Sequence, residues 1–343
     1  MAINVTSVPV NPTYHEIVVN ESVQEWERSK GPEYHEYRRK WALNPKHFVL
    51  EHTPIHLDIE PTNSCNLKCP MCPRTVLMHE GNNKLPVGFM DFNVYKEIID
   101  QAASLGVSSI KLNWLGEPLL HPRIVDMVCY AKEKGIIDVM FNTNAVLLTE
   151  QVASELIDAG LDKLFFSFDS PFKEEYENIR VGANYERTLE NIKALQLLKQ
   201  KKGRKSPLTR VSMVLMQENH SSLEHFINLF SNIVDIVAYV DYRQPLNNRK
   251  ESYNDKIAQS LPSFACSQLW QRMFIAWDGE VVVCCVDSER EFVVGNIRDN
   301  NIDEIWHNDK YKYMRECHMK GEYYRVNICS KCSLPAKNKD GSL

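Results

Sequence analysis

The chain has 343 residues with a formal net charge of −5, 43% apolar and 25% charged residues. That size excludes one small core and fits a large α/β domain with a smaller companion. The slightly acidic balance excludes a broad basic face for nucleic acid or a membrane surface, and no apolar run approaches the roughly 18 residues of a membrane span.

Residues 1–50 form an N-terminal extension, polar and aromatic, with short helices expected at 22–30 and 33–43. Its first residues carry neither the basic nor the apolar stretch of a secretory signal, so a cytoplasmic location is expected. Ten cysteines in a reducing compartment then read as metal ligands, reactive thiols or core residues rather than disulfides.

From 51 to 245 β-rich runs alternate with helical periodicity. Strands are expected at 55–60, 109–114, 137–142, 163–168, 210–216 and 235–241, and helices at 92–105, 123–134, 149–159, 185–202 and 221–233. Such alternation means βαβ units and a parallel sheet. Right-handed crossovers curl six such strands into an open (β/α)6 barrel or a doubly wound sheet, and either collects ligands at the carboxyl ends of its strands. The basic run at 199–205 reads as a solvated helix end and loop.

Residues 246–343 break this rhythm. Residues 247–252 read as a linker, Asp278-Gly279 joins a hairpin of 273–277 and 280–283, and helices are expected at 302–306 and 310–320. This last part holds six of the ten cysteines.

The first cysteine group, Cys65, Cys69 and Cys72, follows the first barrel strand with C-x3-C-x2-C spacing. Three thiolates on one tight loop can each hold one iron of a cubane and leave the fourth iron open. An open iron can be chelated by the amino and carboxylate groups of S-adenosylmethionine (SAM), and the reduced cluster can then release a 5′-deoxyadenosyl radical. A zinc site is the structural alternative, with His79 the nearest fourth ligand. The segment from Cys65 to Cys72 resembles the signature of the radical SAM superfamily, with Met71 where many members carry an aromatic residue.

That resemblance implies a partial (β/α)6 barrel and extends to other strand ends. Leu115-Gly116-Glu117-Pro118 is similar to the family's GGEP motif, so Glu117 would accept hydrogen bonds from the SAM amino group and Met71 would touch adenine. Asn142-Thr143-Asn144-Ala145 is similar to its TNG turn. Asn142, Asn144, Ser167 and Asp169 would meet the SAM ribose, and Arg180 would pair with the SAM carboxylate.

Cys266, Cys284, Cys285, Cys317, Cys329 and Cys332 form the second group, ending in a C-x2-C knuckle. Four thiolates suit a closed [4Fe–4S] cluster and a zinc ribbon equally on spacing alone. The segment resembles the SPASM or shortened "twitch" domain through Gly279-x4-Cys284, Gly295-Asn296-Ile297, Glu304-Ile305-Trp306 and the final knuckle. This implies a small α+β domain with one auxiliary [4Fe–4S] cluster bound by Cys266, Cys284, Cys329 and Cys332. Cys285 follows Cys284, and adjacent strand residues point to opposite faces, so one of them ligates; Cys284 is favoured. Cys129 and Cys317 lie in helical patterns and read as core. His220 and His225 read as surface or core histidines, and Trp270, Trp277 and Trp306 as small-domain core.

A base or hydrogen-bonding group for substrate is sought at the last two barrel strand ends, among Gln217, Glu218, Asn219, Asp241, Tyr242 and Arg243, with Asp241, Tyr242 and Glu218 foremost. The expected chemistry is hydrogen abstraction by the 5′-deoxyadenosyl radical. A small sugar or aminocyclitol-like molecule, free or nucleotide-linked, would be oxidised, dehydrated or epimerised, with a flavodoxin- or ferredoxin-type electron donor. Modification of a ribosomal peptide is the alternative enzyme reading, and a zinc-binding interaction protein the alternative without catalysis.

Overall fold

In a computed structural model of the protein, residues 14–79, 86–242, 264–332 and 334 are described. The 247–252 linker and Arg243 lie outside them. One sheet of ten strands organises these residues: β1 (Tyr14–Val18), β2 (His56–Ile59), β3 (Ser109–Lys111), β4 (Asp138–Thr143), β5 (Lys163–Ser167), β6 (Leu208–Leu215), β7 (Ile236–Asp241), β8 (Arg272–Ile275), β9 (Glu280–Val282) and β10 (Val293–Asn296). Their spatial order is β1-β7-β6-β5-β4-β3-β2-β8-β9-β10, so the sheet is open.

Strands β2 to β7 pair in parallel and in sequence. Their crossovers carry α3 (Pro73–His79), α4 (Phe92–Ser104), α5 (Ile124–Glu133), α6 (Glu150–Asp158), α7 (Lys173–Ile179), α8 (Tyr185–Lys201) and α9 (Leu223–Phe230), counted after α1 (Ser22–Arg28) and α2 (Pro32–Leu43). The expected strands and helices match these to within a few residues. Caps fix several helix starts: Asp91, Thr149 and Asn184 each accept backbone N–H bonds from the first turn.

Period-2 alternation decides what each strand face does. Leu57, Ile59, Ile110, Val139, Phe141, Leu164, Phe166, Val211, Met213 and Val237 join the apolar core. The opposite face carries polar and charged side chains such as His56, Lys111, Lys163 and Arg210. These line one cavity of about 400 Å³ touched by every strand from β1 to β8. A single cavity reached from eight neighbouring strands requires a sheet curled around it, the partial barrel rather than the doubly wound sheet.

Two features exceed the sequence reading. Strand β1 pairs antiparallel with β7 at one edge of the sheet, Tyr14 opposite Val240. At β2 the C-terminal hairpin extends the same sheet, with β8 parallel to β2 and β9 antiparallel to β8. Beyond it lie α10 (Ile302–Trp306), α11 (Asp309–Met319) and α12 (Asn327–Ser330). The N-terminal helices close the floor of the barrel. Trp26, Tyr34, Tyr37 and Trp41 pack with Ile55, Leu208 and Ile236, and the Tyr37 hydroxyl donates to Asp138 Oδ2 at 2.6 Å. Trp270 and Trp306 are core as expected, and Cys317 is buried. Cys129 is only half-buried, its thiol 3.4 Å from Glu133 Oε1, because it lies on the solvent side of α5.

Candidate active site

The loop after β2 carries Cys65, Cys69 and Cys72 to the carboxyl end of the barrel and is fastened at three points. Glu117 N–H donates to Ser64 O at 2.8 Å, and Lys68 N–H to Val181 O at 2.9 Å. Thr62 Oγ1 donates to Gly88 O at 2.6 Å. The turn at Gly182, with φ of +99°, lies against Leu67 and fixes the approach of the Arg180 segment.

The three thiols line an upper cavity of about 360 Å³ together with Met71, Gly116, Glu117, Asn142, Asn144, Ser167, Arg180, Asp241 and Tyr242. Sequence reasoning thus brought most of its candidates to one place. Burial pushes the Cys65 thiol up to about 11 and raises Cys69 as well. Thiolates there require a bound cation. A zinc ion with bonds of about 2.3 Å would hold its thiolates about 4 Å apart. Among the described residues no three thiols are that close, so the donor sets fit a wider group. Asn142 Oδ1 is buried without a protein hydrogen-bond partner, an acceptor left for a ligand of the cavity.

Glu117 sits 3% exposed. Its carboxylate accepts Thr143 Oγ1–H and Asn144 N–H at 2.7 Å and Leu119 N–H at 3.1 Å. A carboxylate has about four acceptor sites, so one remains for a ligand amine. Burial still raises its pKa above the usual carboxylate value. Asn144 Nδ2 donates to Asn66 Oδ1 at 2.8 Å, tying the β4 turn to the cysteine loop.

Two candidates stand elsewhere. Asp169 is fully buried and does not line the cavity; its Oδ2 is 2.5 Å from Arg180 Nε and its Oδ1 accepts Val214 N–H at 2.7 Å. It orients Arg180, whose NH1 lies 4.0 Å from Cys69 Sγ, instead of facing a ribose. Burial alone would lower the Arg180 pKa, but Asp169, Cys69 and Tyr176 together outweigh it and raise it. Glu218 is exposed in the turn after β6, outside the cavity lining. Its neighbour Asn219 is the structural residue of that turn, donating to Asp169 O at 2.8 Å and accepting Met216 N–H at 2.8 Å.

The C-terminal thiols lie near one another. Cys266, Cys329 and Cys332 pack against Phe264, Tyr323 and Leu334. The Cys284 thiol feels Cys285 first, then Cys266 and Cys332, and Cys329, raised mainly by burial, feels Cys332 and Cys266. Both cysteines lie beyond the end of β9, so they do not take the opposite strand faces expected of them. Their thiols bond to each other, while Cys285 also lines both cavities, with Gln268 Nε2 3.5 Å from its thiol and Trp114 Nε1–H donating to its carbonyl at 2.9 Å. His318, which sequence reasoning missed, is buried between the groups. Its Nδ1 accepts Cys266 N–H at 3.1 Å, its Nε2 lies 3.4 Å from Cys329 Sγ, and burial pushes its pKa down to about 3.

The family model of the radical SAM superfamily matches residues 59–230, half of the chain. The chain belongs to the radical SAM superfamily. A model of the SPASM iron–sulfur cluster-binding domain matches residues 266–333. SAM and [4Fe–4S] clusters are therefore the cofactors of this radical SAM enzyme.

Among its relatives, the tungsten-containing aldehyde ferredoxin oxidoreductase cofactor-modifying protein of Pyrococcus furiosus is 27% identical over 326 residues, 81% of this chain and 87% of that one. The S-adenosyl-L-methionine-dependent 2-deoxy-scyllo-inosamine dehydrogenase of Niallia circulans is 22% identical over 287 residues, 81% of this chain and 92% of that one. A crystal structure of BtrN in complex with AdoMet and 2-DOIA superposes with a TM-score of 0.53 at 20% identity, covering 81% of this chain and 92% of that one. This last likeness is one of fold. No helix among the described residues is long and apolar enough to cross a membrane.

Proposed function

We propose that this radical SAM enzyme oxidises a small carbohydrate-like molecule held in the barrel below SAM. Cys65, Cys69 and Cys72 hold the SAM-binding cluster, and Cys266, Cys284, Cys329 and Cys332 hold the auxiliary one. The observation that carries the reading is that the upper and lower cavities share the wall residues Val240 and Cys285. A substrate in the lower cavity therefore lies between the two cysteine sets. The distant dehydrogenase relative favours the same outcome.

When bound, SAM and the reduced cluster supply a 5′-deoxyadenosyl radical, with the electron drawn from a flavodoxin- or ferredoxin-type donor. An alcohol carbon becoming a carbonyl must lose one hydrogen atom, one electron and one proton. Bound SAM would provide the acceptor of the first, an auxiliary cluster held by the second cysteine set could take the second, and a base of this chain would take the third. Asp241 is the candidate for that proton. It lines the upper cavity at the end of β7, next to Val240 in the wall that the two cavities share. Gly116, Asn144 and Glu117 keep the cysteine loop in position, and Arg180 is held ready for a carboxylate by Asp169.

Anaerobically prepared protein is expected to carry about eight irons per chain and to form 5′-deoxyadenosine when screened with sugars, aminocyclitols and peptides. Substituting both Cys329 and Cys332 by Ala is expected to halve the iron, spare SAM cleavage and abolish oxidised product. Oxidised product at the unaltered rate would refute the auxiliary role. Colourless, zinc-loaded protein would refute the reading as a whole.

A further inference from the structure

The lower cavity has a charge pattern that narrows its occupant. Lys111 from β3, Arg210 from β6 and Arg272 from β8 all line it, and Lys111 feels the Asp58 carboxylate first and then both arginines. Among the described residues only Arg272 has a carboxylate in ion-pair contact, Asp58 Oδ2 at 3.2 Å, which also lies beside His56. Lys111 makes no hydrogen bond or ion pair with a described residue. Arg210 bonds only neutral hydroxyls, Tyr14 at 2.7 Å and Ser212 at 3.1 Å. Three cations thus share one carboxylate, with Arg38 a further, exposed cation of the lining. The remaining pair on the cavity floor, Lys163 and Asp138 at 2.5 Å, cancels itself, and Glu16 and Glu27 stand exposed at the rim.

Concentrated like charge in a buried space is costly unless an opposite charge completes it. Burial already pushes Lys111 down to about 8. The two guanidinium groups are also held in fixed planes. Arg210 lies 3.7 Å from the centroid of the Phe165 ring and Arg272 lies 4.6 Å from that of Trp41. A planar fork held in this way suits two-point recognition of an oxyanion.

We infer that Lys111, Arg210 and Arg272 form an anion-binding subsite, so that the substrate carries a phosphate or a carboxylate. This rests on the lower cavity being the substrate cavity. It narrows the sugar class to sugar phosphates and sugar acids, and it disfavours protonated aminocyclitols, whose ammonium group would meet the same three cations.

The test is calorimetric titration of the reconstituted holoenzyme, with SAM present to fill the upper cavity, using glucose 6-phosphate, glucuronate and glucosamine as probes. At least one of the two anions is expected to bind about tenfold tighter than glucosamine, the worth of one charge-assisted contact. Whichever binds better tells phosphate from carboxylate. Lys111→Met is expected to erase the preference and Lys111→Arg to keep it, which separates lost charge from lost folding. Glucosamine binding as tightly as the anions, no anion binding at millimolar concentration, or a preference untouched by Lys111→Met would overturn the inference. Formation of 5′-deoxyadenosine by the unaltered holoenzyme reports separately on the radical reading.

Discussion

A Cβ atom on Gly116 would stand 2.0 Å from the carbonyl oxygen of Thr62. Backbone packs on backbone there, and Ser64 O would be only 2.6 Å away, so neither side can yield without moving the cysteine loop. Gly116→Ala is therefore expected to lower iron at the first cluster and to cut 5′-deoxyadenosine formation at least about tenfold, as for a misplacement of about 1 Å in a catalytic constellation. Gly135→Ala is the control. Its φ of +87° makes that change cost about 1 kcal/mol, but nothing lies within 4 Å and iron content should hold. Equal iron loss in both variants would remove the steric argument.

Cys284 and Cys285 should separate cleanly. The Cys284 thiol interacts with Cys285 first and also with Cys266 and Cys332, whereas the Cys285 thiol also meets Gln268 and lines the barrel cavities. Cys284→Ala is expected to lose about four irons per chain, the content of one cluster. Cys285→Ala is expected to keep them. Iron analysis with the visible spectrum of the anaerobic protein decides it, and the reverse pattern would exchange their roles.

Asp169 and Arg180 form an ion pair with side chains 0% and 12% exposed. Removing one partner of a buried pair costs about 3–5 kcal/mol because the other charge is stranded. Asp169→Asn is expected to lower unfolding free energy by about 3 kcal/mol and to raise KM for SAM, since Arg180 loses its orientation. A loss of stability with unchanged KM would show that Arg180 does not contact the cofactor.

The barrel was legible because its strands and helices each obey one local period, and the first cysteine set because its ligands lie within eight residues. What escaped depends on partners distant in sequence. Strand β1 has an alternation too short to stand out, and its partner β7 lies more than two hundred residues away. Asp169 sits at a strand end like a ligand contact, and only the position of Arg180 turns it inward. Cys284 and Cys285 lie past the end of β9, in the turn after it, with their thiols in mutual contact, so the expected strand alternation does not separate them. Lys111 and Arg210 read as ordinary strand residues, since the concave face that gathers them exists only once the sheet has curled.

Glu60 gives a pH signature of the join between barrel and hairpin. Its side chain is fully buried, accepting Leu115 N–H at 3.1 Å and Trp277 N–H at 3.3 Å, with Arg290 NH2 at 3.6 Å. Burial pushes its pKa up to about 7 from an ordinary 4.5, more than Arg290 and the two backbone donors can offset. Between those values the unfolded chain has released a proton that the folded chain still holds. This contribution to stability is full below the unfolded value and is lost as pH rises through about 7. At about 1.4 kcal/mol per pKa unit, the loss amounts to about 3 kcal/mol by pH 8. Glu60→Gln cannot ionise, so its stability relative to the unaltered protein should improve by that amount from pH 5 to pH 8. Urea unfolding at both pH values measures the difference, and parallel pH dependence of the two proteins would show that Glu60 is ionised throughout.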